Sequence, residues 1–223
     1  MLRGLRVWLG ARLFSVMWQE AASALAGKLG GDDTAHEQVT WDPTPHIKRS
    51  PFGMLLVPIA SFLLNGGNWM IAFASAPFDP GWAARHPKRA AWMAAAGPLS
   101  NLVLAAIATG VIFAGLTWWG WTRGGFMLDE VVVGATGEAT VATTFVSVLF
   151  SVNLLLGLFN LLPVPPLDGH AVVPLFLSER LTHKWHELFR DRGAAMVGLV
   201  VAWVVFGRIA YPVFEFTVSL LFF

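Results

Sequence analysis

The sequence predicts an all-α integral membrane protein with about five transmembrane helices. Hydrophobic residues make up 56% of the 223 residues and charged residues only 13%, about half of the roughly 25% that soluble domains carry. The mean hydropathy is +0.61. Several apolar runs reach or approach the ~20 residues that are needed to cross the hydrocarbon of a bilayer. Lipid is therefore the solvent that this composition indicates.

Five apolar segments, separated by polar stretches, are predicted to span the membrane. The first carries Arg12 and Glu20 and is the least apolar, the second is interrupted by Pro58, and the fifth carries Arg208 near its middle. The predicted limits of the five segments are 6–28, 53–76, 90–118, 142–162 and 194–222.

The distribution of lysine and arginine predicts an orientation, because positively charged loops stay in the cytoplasm. With five spans, the N-terminus shares a side with the loops 79–89 and 163–193. This side has Arg3, Arg6, Arg85, Lys88, Arg89, Arg180, Lys184, Arg190 and Arg192, and the other side has Lys28, Lys48, Arg49 and Arg123. We therefore expect a bacterial inner-membrane protein whose N-terminus is cytoplasmic and whose C-terminus lies outside.

The composition also excludes several classes of function. The net charge is +1, and no basic stripe exists that would neutralise a row of phosphates, so nucleic acid is not an expected partner. The chain has no cysteine, which excludes disulfides, thiolate metal sites and thiol nucleophiles. The partners that we expect are the lipid bilayer and the transmembrane helices of other membrane proteins.

A proline-rich break follows the fourth apolar segment. Asn160 precedes Pro163 and Pro165, and Asp168-Gly169 comes directly after them. Prolines remove backbone donors, and irregular backbone at membrane depth is tolerated only where protein or a water-filled cavity surrounds it. A carboxylate at such a place indicates a functional site, although it can also cap the next helix.

These residues resemble the second signature of the site-2 protease family of intramembrane zinc peptidases, N-x-x-P-x-P-x-L-D-G. In that family the aspartate, here Asp168, is the third zinc ligand. Residues 96–101, with Gly97, Pro98 and Asn101, resemble the family's helix-opening A-G-P-x-x-N. Residues 76–80 resemble its V-P-V-N-P strand, and 29–35 and 42–47 resemble the stretches that follow its catalytic helix.

The resemblance covers roughly residues 13–175 and implies the compact core of that family, with short membrane-associated β-hairpin segments. We therefore divide the chain into a site-2-protease-like transmembrane core at 1–175, a basic cytoplasmic loop at 176–193 and an additional C-terminal transmembrane helix at 194–223.

The first signature of the family, H-E-x-x-H, is incomplete in this chain. Its two histidines, four residues apart on one helix face, hold the zinc while the glutamate activates the bound water. The equivalent positions are Gln19 and Ser23, and only Glu20 keeps the family residue, as a vestigial general base. We expect no metal and no other cofactor, unless His170, or His36 or His46, rebuilds a zinc site.

Two charged residues in apolar segments are predicted to form a pair. Counted from the cytoplasmic edge, Glu20 and Arg208 reach a similar depth of about 20 Å at 1.5 Å per residue. A cation beside Glu20 would replace the charge of the lost metal.

The favoured function is that of a pseudoprotease, a catalytically inactive relative that serves as a structural or helix-binding subunit of a membrane complex. One alternative is an active intramembrane metalloprotease with zinc in an atypical site. The other is a transport or channel component in which Glu20, Asp168 and Arg208 line a polar path.

Overall fold

The protein is a helical bundle with one small β-sheet. The computed structural model describes residues 2–35, 42–49, 51–64, 66, 70, 76–189 and 192–222. Its helices are α1 (Leu2–Gly30), α2 (Pro43–Arg49), α3 (Val57–Leu64), α4 (Pro80–Arg85), α5 (Pro87–Trp118), α6 (Val141–Asn160), α7 (Asp168–Val172), α8 (Glu179–Leu188) and α9 (Arg192–Leu221). A π-helical turn precedes α3 (Phe52–Leu56), a 3₁₀ turn follows α7 (Val173–Phe176), and two strands form the sheet, β1 (Thr122–Arg123) and β2 (Val132–Val133).

Three of the described helices are long and apolar enough to cross a membrane. They are α5, α6 and the part of α9 from Val200 to Leu221. The expected count of about five is not confirmed. The segment predicted to span at 53–76 contains a short apolar helix at Met54–Leu64, and most of its remainder lies outside the described residues.

Helix α1 has the length of a span, but the polar side chains in its middle, from Arg12 to Glu20, point into the protein. Gln19 is 9% exposed and Arg12 only 4%. Ser15 lies one turn before Gln19, and its Oγ accepts a hydrogen bond of 2.8 Å from Asn153 of α6. Polar residues in membrane helices are tolerated when they face the bundle interior. Hydropathy alone therefore undervalues this helix.

Helices α1 and α5 run antiparallel. The indole nitrogen of Trp18 donates to the backbone carbonyl of Ser100 at 3.1 Å. At the end of α1, the carbonyl of Gly30 accepts hydrogen bonds from Trp82, at 3.1 Å, and from Arg89, at 3.2 Å. The beginning of α5 therefore lies beside the C-terminal end of α1.

Helices α6 and α9 complete the bundle. Gly157 near the end of α6 lies against Leu102 in the first half of α5, so α6 is antiparallel to α5. Phe150 of α6 packs on Phe214 of α9 with their ring centroids 6.3 Å apart. These rings belong to the main apolar core, which α5, β2, α6 and α9 build together.

The C-terminal end of α9 lies at the other end of α5. The guanidinium of Arg123, in the strand after α5, contacts the backbone carbonyl of Phe222 and lies 5.1 Å from the centre of its ring. Four long helices return the chain to the end at which α1 began. In the described bundle the loop 79–89 therefore lies at the end opposite to the beginning of α1, and the last turn of α9 lies at the same end as the beginning of α1. Which of these ends faces the cytoplasm stays a prediction.

The expected β-hairpin is present as a small antiparallel sheet. Thr122 is paired with Val133, and Arg123 with Val132. The strand that the resemblance implied at 76–80 does not form among the described residues, since 76–79 have no regular structure. Instead, the carboxylate of Asp79 caps α4 by accepting from the backbone nitrogens of the second and third residues after it.

Two other expectations about helix limits change. Gly97 and Pro98 lie inside α5, ten or more residues after its first residue, and do not open a helix. The basic region at 176–193 is not an open loop, because it contains α8. Trp185 of α8 donates to the carbonyl of His170 at 3.0 Å, which attaches this helix to α7.

The arrangement of the helix ends predicts which residues share a side of the membrane. The chain has no cysteine, so single cysteines can be labelled without background. We expect Gly4→Cys and Glu138→Cys to react with an impermeant thiol reagent from one side of sealed vesicles, and Lys88→Cys from the other. At Gly4 a Cβ meets only the ring of Phe62 at 3.8 Å, an ordinary contact. Labelling of Gly4→Cys and Lys88→Cys from the same side would contradict the described bundle.

Candidate functional site

The side chain of Gln19 connects three helices at the centre of the bundle. Its Nε2 donates a hydrogen bond of 3.1 Å to Oδ2 of Asp168 in α7. Its Oε1 accepts a hydrogen bond of 2.9 Å from Nδ2 of Asn101 in α5. Asn160, the last residue of α6, makes a longer contact of 3.5 Å with the same oxygen. We call these four residues the amide cluster.

The break after α6 places Asp168 in the cluster. The chain turns through Pro163 and Pro165 and enters α7 at Asp168. Gly169 makes this turn possible, because a Cβ at that position would lie 2.3 Å from the carbonyl oxygens of Leu161 and Leu162. A side chain at residue 169 would therefore push α7 away from the end of α6.

Glycine also allows α1 to approach α5 beside the cluster. A Cβ on Gly97 would lie 2.8 Å from Oγ of Ser23 and 3.0 Å from Cγ of Gln19. Gln19 and Ser23, at the two positions of the missing histidines, thus face the same part of α5. The carbonyl of Pro98 lies one residue further on and faces α6, where a Cβ on Gly157 would meet it at 3.0 Å.

These residues do not fit a zinc ion. Zinc binds imidazole, thiolate or carboxylate groups, and the cluster together with the neighbouring Ser23 offers one carboxylate beside three amides and a hydroxyl. The N–H of Gln19 points at Asp168, so a hydrogen-bond donor stands where a cation would need an electron pair. Within the part of the chain that the structure describes, no three histidine, aspartate or glutamate side chains form a group that could hold a metal.

Asp168 lies beyond the end of α6 and outside the three candidate spans. Burial raises the pKa of its carboxyl to about 6, and the hydrogen bond from Gln19 works in the opposite direction. Both effects follow from general rules, since burial disfavours the charged form and a donated hydrogen bond favours it.

Glu20 faces a different neighbour from the one predicted. Its Oε2 contacts Nδ1 of His46 in α2, and the two side chains are 1% and 0% exposed. Arg208 lies on α9 with an exposed side chain. The predicted pairing of Glu20 with Arg208 is therefore wrong, because depth along two helices does not determine which face each side chain occupies.

His170 does not join the amide cluster through its ring. The ring stacks on Trp185 at 5.2 Å between centroids and meets the edge of Phe189 at 4.8 Å, in and directly after α8. This aromatic packing fastens α8 to α7. The hypothesis that His170 rebuilds a zinc site finds no support in this position, and His36 lies outside the described residues.

Sequence reasoning missed the contact between Glu20 and His46. The two residues are 26 positions apart, and His46 belongs to a polar stretch of the chain. The available signal was the resemblance of residues 42–47 to a family segment that follows the catalytic helix. A histidine in such a segment is a candidate to return to the helix that the segment follows.

Comparison with known proteins gives three results. Residues 8–205 match peptidase family M50. "Putative zinc metalloprotease YwhC" of Bacillus subtilis (strain 168) is 31% identical over 169 residues, which cover 72% of this chain and 64% of that protein. "Putative zinc metalloprotease Rip3" of Mycobacterium tuberculosis (strain ATCC 25618 / H37Rv) is 36% identical over 125 residues, 56% of this chain and 26% of that protein.

The chain therefore spans less than two thirds of the length of either relative. No solved structure matches it. The family match begins in α1, includes the amide cluster and continues past residue 175 into α9. The resemblance seen in the motifs is thus confirmed over most of the chain, and the protein belongs to peptidase family M50, the site-2 protease family.

Proposed function

We propose that this protein is a member of family M50 without peptidase activity, and that it serves as a structural or helix-binding subunit of a membrane protein complex. The observation that carries the proposal is the hydrogen bond from the Gln19 amide to Asp168. It supports a site that is held together by neutral amides in place of a metal.

The orientation of the Gln19 amide strengthens this argument. Asn101 donates to the amide oxygen, so the amide NH₂ is the end that faces Asp168. Asn101 is fully buried, so its Nδ2 needs an acceptor, and the oxygen of Gln19 provides one. A metal at this place would have to displace a donor from the carboxylate and would gain only an amide and a hydroxyl as further ligands, which are poor zinc ligands.

The positions of the cations support a revised orientation in the membrane. The end at which α1 finishes and α5 begins, together with α8, carries Lys28, Arg85, Lys88, Arg89, Arg180 and Lys184. The opposite end carries Arg3, Arg6 and Arg123. Because positive charges are retained in the cytoplasm, we place the first group in the cytoplasm and both chain ends on the outer side.

One observation favours a second candidate, an active metallopeptidase with an atypical site. The buried contact of Glu20 with His46 brings two side chains of metal-binding type together. Glu20 lies between Gln19 and Ser23 in the sequence. In this reading His46 supplies an imidazole that the helix lacks. The two candidates differ in metal content, and the same measurement separates them.

The first test is metal content. We expect the purified protein to contain no stoichiometric zinc and to cleave no membrane-embedded substrate, because Gln19 and Ser23 replace the imidazole ligands. Elemental analysis of the full chain, prepared without chelators, measures this directly. About one zinc per chain that is lost in Asp168→Ala would contradict the proposal, as would cleavage that Glu20→Gln abolishes.

The second test restores the ligands. With Gln19→His and Ser23→His combined, two imidazoles one turn apart face α5 and Asp168 completes a set of three ligands. We expect this variant to bind about one zinc per chain. The matched control adds Asp168→Asn to the same two changes and should bind at least ~10-fold more weakly, since metal sites respond to a lost partner on that scale or more. Equal binding with and without the Asp168 carboxylate would show that the metal sits elsewhere.

A further inference from the structure

Helix α9 has one packed face and one open face, and Arg208 lies at the centre of the open one. Phe206, Ala210 and Phe214 follow each other at intervals of four and pack against the main core. Arg208 lies two residues from both Phe206 and Ala210, which places it about 200° around the helix from each. Its side chain is exposed. Arg208 therefore points directly away from the bundle.

Arg208 also lies deep in the candidate span. Thirteen residues separate it from Leu221, the last residue of α9, which corresponds to about 20 Å. Phe206, half a turn earlier, packs on Phe159 with their ring centroids 5.0 Å apart. Phe159 comes directly before Asn160, the last residue of α6 and a member of the amide cluster. Phe159 therefore lies at about the level of that cluster. In the other direction along α9, Arg208 lies eight residues after Val200, the first residue of the candidate span, which corresponds to about 12 Å.

An outward arginine at this depth lacks a suitable environment in lipid. Charged residues within membrane helices nearly always face a protein interior or a water-filled cavity and pair there with another group. Among the described residues no carboxylate forms an ion pair with Arg208. Glu215 lies seven residues further along the same helix, about 10 Å along its axis, and interacts with Tyr211 one turn before it.

The residues around Arg208 have the spacing of a helix-packing seam. Positions separated by four, three, four, three and four residues form the a and d line of a left-handed helix pair. On the open face of α9 this line consists of Val197, Val201, Val204, Arg208, Tyr211 and Glu215. Beside Arg208, a Cβ on Gly207 would find nothing within 4 Å, so a neighbouring helix can approach closely.

A second copy of this chain does not suit the seam. Two copies inserted in the same orientation would pack by a twofold axis along the membrane normal, which brings each seam residue against its own counterpart. Arg208 would then face Arg208 at membrane depth, where like charges repel strongly. A different chain, with a carboxylate at the depth of Arg208, suits the seam better.

We propose that the Val197–Glu215 seam of α9 binds a transmembrane helix of another membrane protein, and that this helix carries an aspartate or glutamate which pairs with Arg208. The inference rests on the proposed function, because it assigns the binding surface of the subunit. It also explains why a helix with an outward cation is stable in the bilayer.

A model helix tests the chemistry of the seam. The probe is a synthetic Leu/Ala transmembrane helix with one central glutamate, and its control carries glutamine at the same position. Binding to the full chain in lipid nanodiscs is measured by energy transfer from a label at Glu138→Cys. We expect the glutamate probe to bind roughly five- to thirty-fold more tightly than the glutamine probe.

Variants of the chain complete the test. Arg208→Leu should abolish the preference for glutamate, Arg208→Lys should retain most of it, and Arg208→Glu should prefer a probe with a central arginine. Ile107→Ala, on the exposed face of α5, is the control and should change nothing. Equal binding of the two probes to the unmodified chain would overturn the proposal, as would a preference that survives Arg208→Leu.

Purification from native membranes separates this inference from the proposed function. A partner that co-purifies in constant ratio, and is lost in Arg208→Leu but retained in Ile107→Ala, supports both. A partner that is retained in Arg208→Leu overturns the seam and leaves the subunit role standing. Isolation of the unmodified chain without any stoichiometric partner, together with cleavage activity, overturns the proposed function itself.

Discussion

The structure depends on the satisfaction of one buried amide. Gln19 is the point at which α1, α5 and α7 meet, and both ends of its amide are used, one by Asn101 and one by Asp168. A buried polar group without a partner costs about 1–3 kcal/mol, so the two hydrogen bonds of Gln19 favour this arrangement of the three helices. The proline-rich turn and Gly169 contribute to the same contact, because they position the carboxylate of Asp168 beside the amide of Gln19.

This constraint explains how a helix as polar as α1 lies in the middle of an apolar bundle. One face, with Ser15, Gln19 and Ser23, is directed at α5 and α6, and the next face directs Glu20 at His46 of α2. Ser15, Gln19 and Glu20 thereby have polar partners inside the protein in place of lipid. The apolar helices α5 and α6 pack around these polar contacts. The close approach of α5 to α6 depends on Gly157.

The same arrangement distinguishes the amide cluster from a zinc site. A metal centre requires electron pairs that converge on one point, whereas in the amide cluster the amide of Gln19 donates to Asp168 and accepts from Asn101. The protein also has apolar surfaces that the bundle leaves open. Its most unusual surface is the open face of α9, where an arginine stands among valines at membrane depth.

The amino-acid sequence alone determined the membrane class, the apolar helices near 90–118 and 142–162, the small hairpin, and the family through the Asn160–Gly169 motif. It also determined that Gln19 and Ser23 stand where the family has histidines. These features are local, since composition and short-range order suffice to specify them. Only the tertiary structure decided that 53–64 is a short helix, that Glu20 meets His46, and that Arg208 faces outward. Gln19 and Asp168 are 149 residues apart, and hydropathy averaged along a window contains no information about which face of a helix a side chain occupies or which distant residue it meets.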